Sequence, residues 1–439
     1  MSNGKFVRNT SWLLFGNLMR MIFQFVINLF IARYLGPENQ GIINYVATYT
    51  SLFTLLVSIG INGVIIHEFV NHEEDENKII GTAIVLRLIV SVISMIMMVT
   101  VVSLSNRGDS EIRWIAILQA VQLPFAALDT IKYWYNRHLK SRISVLVTSA
   151  AYLFSSIYKI YILLSHKSLL WFGFATSLDI ILIGIFFLIS YRREGGKKLS
   201  FQGEAARRIM KAALPFTLAN IMLFVYSKID TIMIRHMMDS MELVGYYTTA
   251  VAVCGYVSFI PTAILDSARP LIMESKTNDE EQYGKRLRQA ALAVMIVGIL
   301  YSLFLLFFSR PVVSILYGEE YLGAVNSLRI AVWYTGFSFL GAVKSIWLIC
   351  EGKNKYVFWF SVCGAITDVV LNLIMIPVWG IEGAAMATLI TQACTHVIYP
   401  LLVPQTRGFV KMVLDALCFR NVDAGQMLDL VKRKLKINR

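Results

Sequence analysis

Four polar side chains recur at helical spacing in the apolar stretch 11–33. Asn17, Arg20, Gln24 and Asn28 are three, four and four positions apart, which places them on one face of an α-helix. The stripe could bind a polar, anionic molecule, or it could form hydrogen bonds between helices. We favour binding, because an ionised Arg inside a bilayer costs about 2.5–3.5 kcal/mol, a large penalty for a residue that only joins helices.

Other basic residues lie in apolar stretches further along the chain. They are Arg87, Lys132, Lys228 and Lys344. For Arg87 and Lys344 two expectations stay open, since a long side chain can extend to the lipid headgroups or can line a cavity. Together with Arg20 and the neutral Asn220, these residues form a candidate cationic, polar binding surface.

Four acidic residues in apolar stretches are candidates for ion coupling or ion pairs. Asp129 precedes Lys132 by three positions, so the two can pair on one helix face. Asp230 is two positions from Lys228, which puts the two on different faces and predicts partners on other helices. Asp368 shares a face with Asn372. Asp179 stands alone in mid-span, with neutral burial and a proton-linked role both open, and Lys159 is expected to extend to the outer face.

The composition identifies an all-α polytopic membrane protein. Apolar residues make up 56% of 439 positions and only 16% are charged, against about 25% charged in soluble domains. A spanning helix needs about 20 mostly apolar residues. Twelve stretches meet that need, at about 11–33, 41–68, 79–104, 113–136, 143–164, 169–191, 212–235, 243–268, 289–309, 327–350, 357–379 and 383–404.

The net charge of +13 is distributed as expected for a membrane protein. With the first residue in the cytoplasm, 28 of the 41 Lys and Arg fall in inside segments and five in outside loops. This positive-inside pattern predicts that both termini are cytoplasmic. It accounts for the excess charge without a nucleic-acid partner.

The two halves of the chain are similar at an offset near 203 positions. Asn17 corresponds to Asn220, the end of the first helix at Arg33 to Arg235, and Gly41 to Gly245. Related halves are common in transporters. The predicted organisation is therefore an N-terminal six-helix bundle at 1–191, a cytoplasmic linker at 192–211, a C-terminal six-helix bundle at 212–405 and a basic amphipathic cytoplasmic tail at 406–439.

The cysteines and histidines do not indicate a metal site or a cofactor. Of the five cysteines, four fall in predicted spans and one in the tail, and no CxxC spacing occurs. The six histidines are scattered. We therefore expect neither disulfides nor a bound metal.

Several stretches resemble the polysaccharide-biosynthesis, O-antigen flippase (Wzx-type) family of the multidrug/oligosaccharidyl-lipid/polysaccharide superfamily. They are IARYLGPENQGIINYVATY, SKIDTIMIRHMMDSMELVGYYTTA, LYGEEYLGAVNSLRI and GKNKYVFWFSVCGAITDVVLNLIMIPVWGIEGAAMATLI, with WYNRHLK between them. The last long stretch is the most specific, and the resemblance covers about residues 10–405. Asp368 stands where this family is expected to have a neutral polar residue.

The resemblance implies a MATE-like fold, two pseudo-symmetric six-helix bundles around a central cavity, and a non-enzymatic function. The expected function is movement of an undecaprenyl-diphosphate-linked oligosaccharide across the cytoplasmic membrane of a bacterium or archaeon, by alternating access. The expected partners are that lipid-linked substrate, membrane lipids and other polysaccharide-assembly proteins. The excess of intramembrane cations independently favours an anionic cargo.

Two other functions remain as alternatives. A cation-coupled drug antiporter of the same superfamily is expected to bind its cation through acids in the N-terminal half, whereas helix 1 offers Arg20 and Asp129 has Lys132 beside it. A membrane enzyme such as a repeat-unit polymerase or an acyltransferase needs a sizeable outside loop, and the longest one here is about 310–325. No cluster of catalytic residue types gathers in one loop of the sequence.

Overall fold

The structure, a computed structural model, describes residues 3–58, 65, 68, 76–138, 140–196 and 198–418. For residues 3–22, 141, 215, 216 and 219 it describes the backbone alone. The chain divides into two compact units. The N-terminal unit comprises Met1–Phe224 and Ser240–Gly245, and the C-terminal unit comprises Val225–Asp239 and Tyr246–Arg439. The bundle and linker boundaries predicted from sequence remain predictions.

Helices make up the described part of the N-terminal unit. They are α1 (Asn3–Ser58), α2 (Glu76–Ser105), α3 (Ser110–Ala120), α4 (Gln122–Ala126), a 3₁₀ turn (Ala127–Thr130), α5 (Ile131–Arg137), α6 (Ser141–Leu164), α7 (Leu169–Arg193) and the first part of α8 (Gly203–Met238). α8 begins in this unit and ends in the C-terminal one.

In the C-terminal unit the described secondary structure is also helical. After α8 come α9 (Met241–Gly255), α10 (Phe259–Asn278), α11 (Glu280–Tyr317), a 3₁₀ turn (Glu319–Ala324), α12 (Val325–Ala331), α13 (Tyr334–Cys350), α14 (Lys355–Ala393), a π turn (Cys394–Ile398), α15 (Tyr399–Leu402) and α16 (Arg407–Leu417).

The helices account for the twelve predicted spans. Among the described residues, seven helices are long and apolar enough to cross a membrane, or nine if each of two bent pairs is one span. Two of the seven, Phe23–Ser58 and Lys355–Leu402, each contain two predicted spans. The remaining predicted span lies in α8, which is not among the helices that meet the length and hydropathy criteria.

Glycines break the two longest helices where sequence predicts a turn. Gly36 adopts φ 71° and ψ 172°, and Gly380 adopts φ 59° and ψ −134°. Residues other than glycine rarely adopt these backbone angles, because their Cβ atom clashes with the backbone. Pro37 follows Gly36, in agreement with the preference of proline for the first turn of a helix. Because 56 helical residues in a straight line would extend about 84 Å, the break is needed to fit α1 to a bilayer.

Each unit has its own apolar core and an exposed apolar surface. In the N-terminal unit α2 contributes Ile79 and Ile80, which pack with Tyr135, Phe187 and their neighbours. Further along α2 large side chains are exposed, namely Ile89, Val92, Ile93 and Ile96. A helix that buries one apolar face and exposes another is expected where the surrounding solvent is lipid.

The linker predicted at 192–211 lies in the N-terminal unit and runs along α2. α7 ends at Arg193 and α8 begins at Gly203, so only the first part of the predicted linker 192–211 is non-helical. The backbone N–H of Gln202 donates to Thr82 Oγ1 at 2.8 Å. The side chain of Asn77 donates to the Lys198 carbonyl at 3.2 Å. These bonds attach the linker to the start of α2.

The tail begins with an amphipathic helix, as predicted for 406–439, and residues 419–439 lie outside the described part. α16 buries Phe409, Val410 and Val413 in the core of the C-terminal unit. The ring centroids of Phe409 and Trp347 are 5.9 Å apart. The apolar face of this helix therefore packs on the protein, while Leu414 and Leu417 stay exposed.

Candidate functional site

A buried arginine in the N-terminal unit binds the end of one helix and a turn of another. Arg87 of α2 is 4% exposed. Its Nε donates to the Val57 carbonyl at 3.1 Å, and an Nη donates to Thr130 Oγ1 at 2.7 Å. Val57 is in the last described turn of α1. Thr130 ends the 3₁₀ turn that interrupts the fourth span.

The same turn carries the predicted ion pair. Asp129 and Lys132 bind each other through Oδ2 and Nζ, as their spacing of three positions indicates. Both side chains are about one-third exposed. Because Lys132 already pairs with Asp129, while Arg87 bonds to a carbonyl and a hydroxyl, the three residues together leave one positive charge. Arg87 does not extend to a membrane surface, so that expectation is wrong.

Lys159 and Asp179 form an ion pair between α6 and α7. Lys159 Nζ lies 2.9 Å from Asp179 Oδ2, and Lys159 is 8% exposed. The expectation that Lys159 extends to the outer face is therefore wrong. Asp179, which stands alone in its own span, thus has a lysine partner on a neighbouring helix. Its other oxygen, Oδ1, is buried and has no partner among the described residues.

Part of the polar stripe of helix 1 can be placed in the structure. The side chains of Asn17 and Arg20 lie outside the described residues. Gln24 is partly buried and Asn28 is exposed. Phe23, Val26 and Phe30 form an exposed apolar face on the same helix. At about 100° per residue, Asn28 points to the side opposite this face.

In the C-terminal unit a buried aspartate joins three helices. Asp230 of α8 accepts a hydrogen bond from Tyr247 of α9, and Thr388 Oγ1 of α14 donates to the same Oδ2 at 3.2 Å. Its Oδ1 accepts from the Thr231 N–H at 2.8 Å. Asp230 thus finds its partners on other helices, as predicted. Lys228, two positions earlier, is exposed.

A second buried acid lies near Asp230. Asp368 Oδ2 accepts from Asn372 Nδ2 at 3.0 Å, four positions along α14. Asp230 acts on Asp368 electrostatically. Oδ1 of Asp368 and Oδ1 of Asn372 are buried without a partner among the described residues. Two neighbouring buried carboxylates repel each other when both are charged, so the hydroxyl, amide and backbone donors around them must stabilise the charge that they carry.

The remaining predicted cationic and polar residues occupy different environments. Lys344 of α13 is 4% exposed, and its Nζ donates to the Thr395 carbonyl at 2.7 Å. The expectation that Lys344 extends to the headgroups is therefore wrong. Asn220 of α8 is partly buried within the N-terminal unit. The structure brings Asp230 and Asp368 together, and Arg87 near Asp129.

Sequence analysis missed the polar face of the last span. Thr388, Thr391, Gln392, Thr395 and His396 are all buried. Their spacing of three, one, three and one positions puts them on one helix face. The same spacing rule that identified the stripe of helix 1 could have found them. Tyr247 was also missed, and its partner Asp230 is 17 positions away, too far for a local pattern.

Within the described residues no group of three or more His, Cys, Asp or Glu could hold a metal ion. The acids of the two units are bound by lysines, hydroxyls and amides instead. This chemistry suits the binding and release of a proton, a monovalent cation or an anionic group, and no arrangement typical of a catalytic site accompanies it among the described residues.

The fold is that of the transporters of the multidrug/oligosaccharidyl-lipid/polysaccharide superfamily. A multidrug resistance MATE family transporter in an inward-facing conformation superposes with a TM-score of 0.70, at 14% identity over 91% of this chain and 95% of that one. The lipid II flippase MurJ in an inward closed conformation also gives 0.70, at 16% identity over 92% and 90% of the two chains. The protein is thus a multi-pass membrane protein with a transporter fold.

The family follows from the sequence comparison. A family model described as polysaccharide biosynthesis protein matches residues 6–276, which is more than half of the chain, and the chain belongs to that family. A MatE model matches residues 215–374. Capsular polysaccharide biosynthesis protein CapF of Staphylococcus aureus is 21% identical over 90% of this chain and 98% of its own length. The probable flippase AglR of Haloferax volcanii is 27% identical over 48% of this chain and 44% of its own.

Proposed function

We propose that the protein is a flippase for an oligosaccharide linked to undecaprenyl diphosphate. It moves the unit from the inner to the outer leaflet by alternating access, for O-antigen, capsule or exopolysaccharide assembly. Membership of the polysaccharide biosynthesis family and similarity to CapF and AglR support this proposal. The observation that carries it is the buried charge of Arg87 in the N-terminal unit, to which no carboxylate among the described residues is bonded.

The cargo needs positive charge within the membrane. A diphosphate linkage carries about two negative charges, whose transfer into a low-dielectric region is strongly unfavourable without cations. Arg87 provides one buried positive charge that no carboxylate binds directly. Lys132 and Asp129 are partly exposed beside it, so Lys132 can exchange its partner for a phosphate. Guanidinium groups bind phosphate oxygens particularly well.

We propose that the polar stripe of helix 1 lines the path of the cargo. Asn28 is exposed on the side of the helix opposite Phe23, Val26 and Phe30. An exposed amide group that faces away from this apolar face can form hydrogen bonds with water or with sugar hydroxyls. By the helical spacing, Asn17, Arg20 and Gln24 share this side, and Arg20 adds a second cation for the diphosphate. Asn220 of α8 is a further proposed contact in the N-terminal unit, and Lys228 is a proposed contact that belongs to the C-terminal unit.

A drug antiporter is less consistent with the acids of the N-terminal unit. Asp129 is bound by Lys132, and Asp179 by Lys159. An acid that is neutralised by a lysine is not available to a cationic drug or its coupling ion. Asp230 and Asp368, in the C-terminal unit, lack such lysine partners among the described residues and are the proposed coupling acids.

The orientation follows from the positive-inside pattern. We place both termini and the linker in the cytoplasm of a bacterium or archaeon, with the breaks at Gly36 and Gly380 on the outer side. The bundles at 1–191 and 212–405 move relative to one another in the proposed cycle. Other polysaccharide-assembly proteins are proposed to receive the cargo outside.

A vesicle experiment tests the function. Purified protein is reconstituted with a fluorescent undecaprenyl-diphosphate oligosaccharide, and a membrane-impermeant reagent measures how much headgroup is accessible. We expect protein-dependent appearance of the headgroup in the opposite leaflet. If folded protein moves none of several native glycolipids and instead exports organic cations, the antiporter is correct.

Charge variants connect this assay to the site. Arg87→Gln and Arg20→Ala should each reduce the flipping rate at least tenfold, since the diphosphate loses a compensating charge. Arg113→Gln is the matched control, because Arg113 is exposed and outside the proposed site. Membrane insertion and thermal unfolding are measured for each variant, to show whether slower flipping comes from weaker cargo binding or from misfolding. Normal flipping by both site variants would refute the cationic site.

A further inference from the structure

A buried lysine and a buried histidine lie together in the C-terminal unit. Lys344 belongs to α13, and His396, 7% exposed, belongs to the π turn of the last span. Lys344 Nζ donates to the carbonyl of Thr395, which immediately precedes His396. The His396 ring packs against Gly341, one turn before Lys344, so closely that a Cβ there would lie 2.5 Å from Cε1. The two basic groups therefore share one site.

The π turn is held in place by close packing on both sides. It occupies Cys394–Ile398 and widens the helix locally. On the side opposite Gly341, a Cβ on Gly364 would lie 2.7 Å from Thr395 Oγ1. His396 packs against Gly341 and Thr395 packs against Gly364, and these close contacts fix the positions of the two residues. Single π turns inside α-helices are frequently found at functional sites.

The charged surroundings of Lys344 contain no direct counter-ion among the described residues. Its other close neighbour is the ring of Phe360, 5.0 Å from Nζ to the centroid. The charge of Lys344 acts on His396 of the π turn. A Cβ on Gly364 of α14 would lie 2.7 Å from Thr395 Oγ1 and 3.6 Å from Tyr226 Cδ1, and Asp368 is one turn further along α14. Lys276, Tyr283 and Glu351 bind one another at the end of the unit. Because the charge of Lys344 acts on His396, two positive charges here would repel each other, and we expect the site to hold one.

Unpartnered polar atoms connect this site to the acid pair. Thr388, Thr395 and His396 line one face of the last span, from Asp230 to Lys344. Buried atoms without a partner among the described residues are Asp368 Oδ1, Asn372 Oδ1, Gln392 Oε1, Thr395 Oγ1 and His396 Nδ1. Each such atom costs about 1–3 kcal/mol if left dry. Bound water along this face would satisfy them and would conduct protons.

We propose that Lys344 and His396 form a proton-binding site that takes up and releases one proton in each transport cycle. The proposal rests on the flippase function proposed above and assigns its coupling step. A proton enters from water on one side, is held by one of the two bases and leaves to water on the other side. When Lys344 is charged, it binds the Thr395 carbonyl and ties α13 to the π turn. Loss of the proton weakens that bond and releases the two helices.

Direct titration of the purified protein tests the site without any cargo. Potentiometric proton uptake from about pH 10 to about pH 5 is compared between the wild type and the double variant Lys344→Met/His396→Gln. The wild type should bind about one proton more, since the two bases titrate as one site. If the wild type binds no more protons than the double variant, Lys344 and His396 do not change their charge in this pH range. If it binds two more, the two bases titrate independently. Either result overturns the proposal.

Vesicles with an imposed pH gradient test the coupling. If one proton moves per cargo, each pH unit should shift the leaflet distribution of the labelled glycolipid by up to about tenfold. In Lys344→Met and His396→Gln the final leaflet distribution of the cargo should no longer follow the gradient, whatever the rate at which it is reached. Lys344→Arg keeps a permanent charge and should retain the fold yet lose the pH response, which a purely structural lysine would not do.

Matched controls and outcomes separate the two proposals. Lys355→Met and His236→Gln change exposed residues of the same types and should follow the gradient like the wild type. If the wild type neither binds nor moves the glycolipid, the proposed function fails, and the titration still decides the proton site. If the wild type flips but ignores the gradient, or if the site variants follow it normally, the proton-coupling proposal is wrong.

Discussion

Gly41 and Gly245, which occupy corresponding positions in the two halves of the sequence, make reciprocal contacts within the N-terminal unit. A Cβ on Gly41 would lie 1.9 Å from the Met241 carbonyl oxygen, and a Cβ on Gly245 would lie 1.9 Å from the Pro37 carbonyl oxygen. In each case the carbonyl belongs to the residue four positions before the partner glycine. The related helices therefore cross at their glycines, which explains why Ser240–Gly245 groups with the N-terminal unit.

The first prediction concerns this crossing. Gly41→Ala or Gly245→Ala forces two backbones apart, so each should lower the thermal unfolding temperature in detergent and abolish flipping. Overpacking of a tight contact typically costs about 1–3 kcal/mol, and contact with backbone leaves little room to relax. Gly203→Ala is the control, since nothing lies within 4 Å of its Cβ. Equal unfolding temperatures for all three variants would contradict the close approach.

The second prediction concerns the pair Lys159 and Asp179, joined at 2.9 Å between α6 and α7. Lys159→Met or Asp179→Leu alone leaves a buried charge without its partner and should destabilise the fold by about 3–5 kcal/mol. The double variant Lys159→Met/Asp179→Leu removes both charges and should be more stable than either single one. Thermal unfolding of all four proteins measures the coupling. Additive effects would show that the pair does not act as a unit.

The third prediction separates the two acids of the C-terminal unit. Asp230 accepts bonds from Tyr247, Thr388 and Thr231, so Asp230→Asn should destabilise the fold by about 2 kcal/mol. Asp368 Oδ1 has no hydrogen-bond partner among the residues that the structure describes, so Asp368→Asn should leave the unfolding temperature unchanged or raise it. Both variants should lose ion-driven accumulation of cargo. If Asp368→Asn lost more stability than Asp230→Asn, Asp368 and not Asp230 would be the acid that stabilises the fold.

The fourth prediction concerns pH and Glu351, at the end of α13. Burial by itself raises the pKa of Glu351, but the hydrogen bond and charge of Lys276, with Lys353 and Tyr283, outweigh it and hold the pKa below its ordinary value of 4.5. A lowered folded-state pKa contributes stability above the unfolded pKa, which is lost as the pH falls through the folded value.

Glu351→Gln should therefore lower the stability at pH 7 by about 0.5–1 kcal/mol. The difference from the wild type should vanish on acidification below about pH 4. Thermal unfolding from pH 7 downward measures this convergence. Glu382→Gln, on another helix, should behave like the wild type across the range. A constant gap between Glu351→Gln and the wild type at all pH values would show that the carboxylate charge is not responsible.

Features that depend on residues close together in the chain were predictable. The composition identified a membrane protein, and the twelve apolar stretches correspond to helical segments. Gly36 marked a helix break, because few other residues adopt its backbone angles. The pairs Asp129 with Lys132 and Asp368 with Asn372 follow from spacings of three and four positions on one helix.

Contacts between distant helices were decided by tertiary packing alone. Lys159 meets Asp179, Asp230 meets Thr388, and Lys344 meets Thr395, over 20, 158 and 51 positions respectively. Hydropathy predicts that a helix crosses the membrane, but its rotation about its own axis depends on how side chains of neighbouring helices fit together. The sequence by itself therefore determined which charges lie within the membrane, and only the folded structure decided which of them are neutralised and which remain to act.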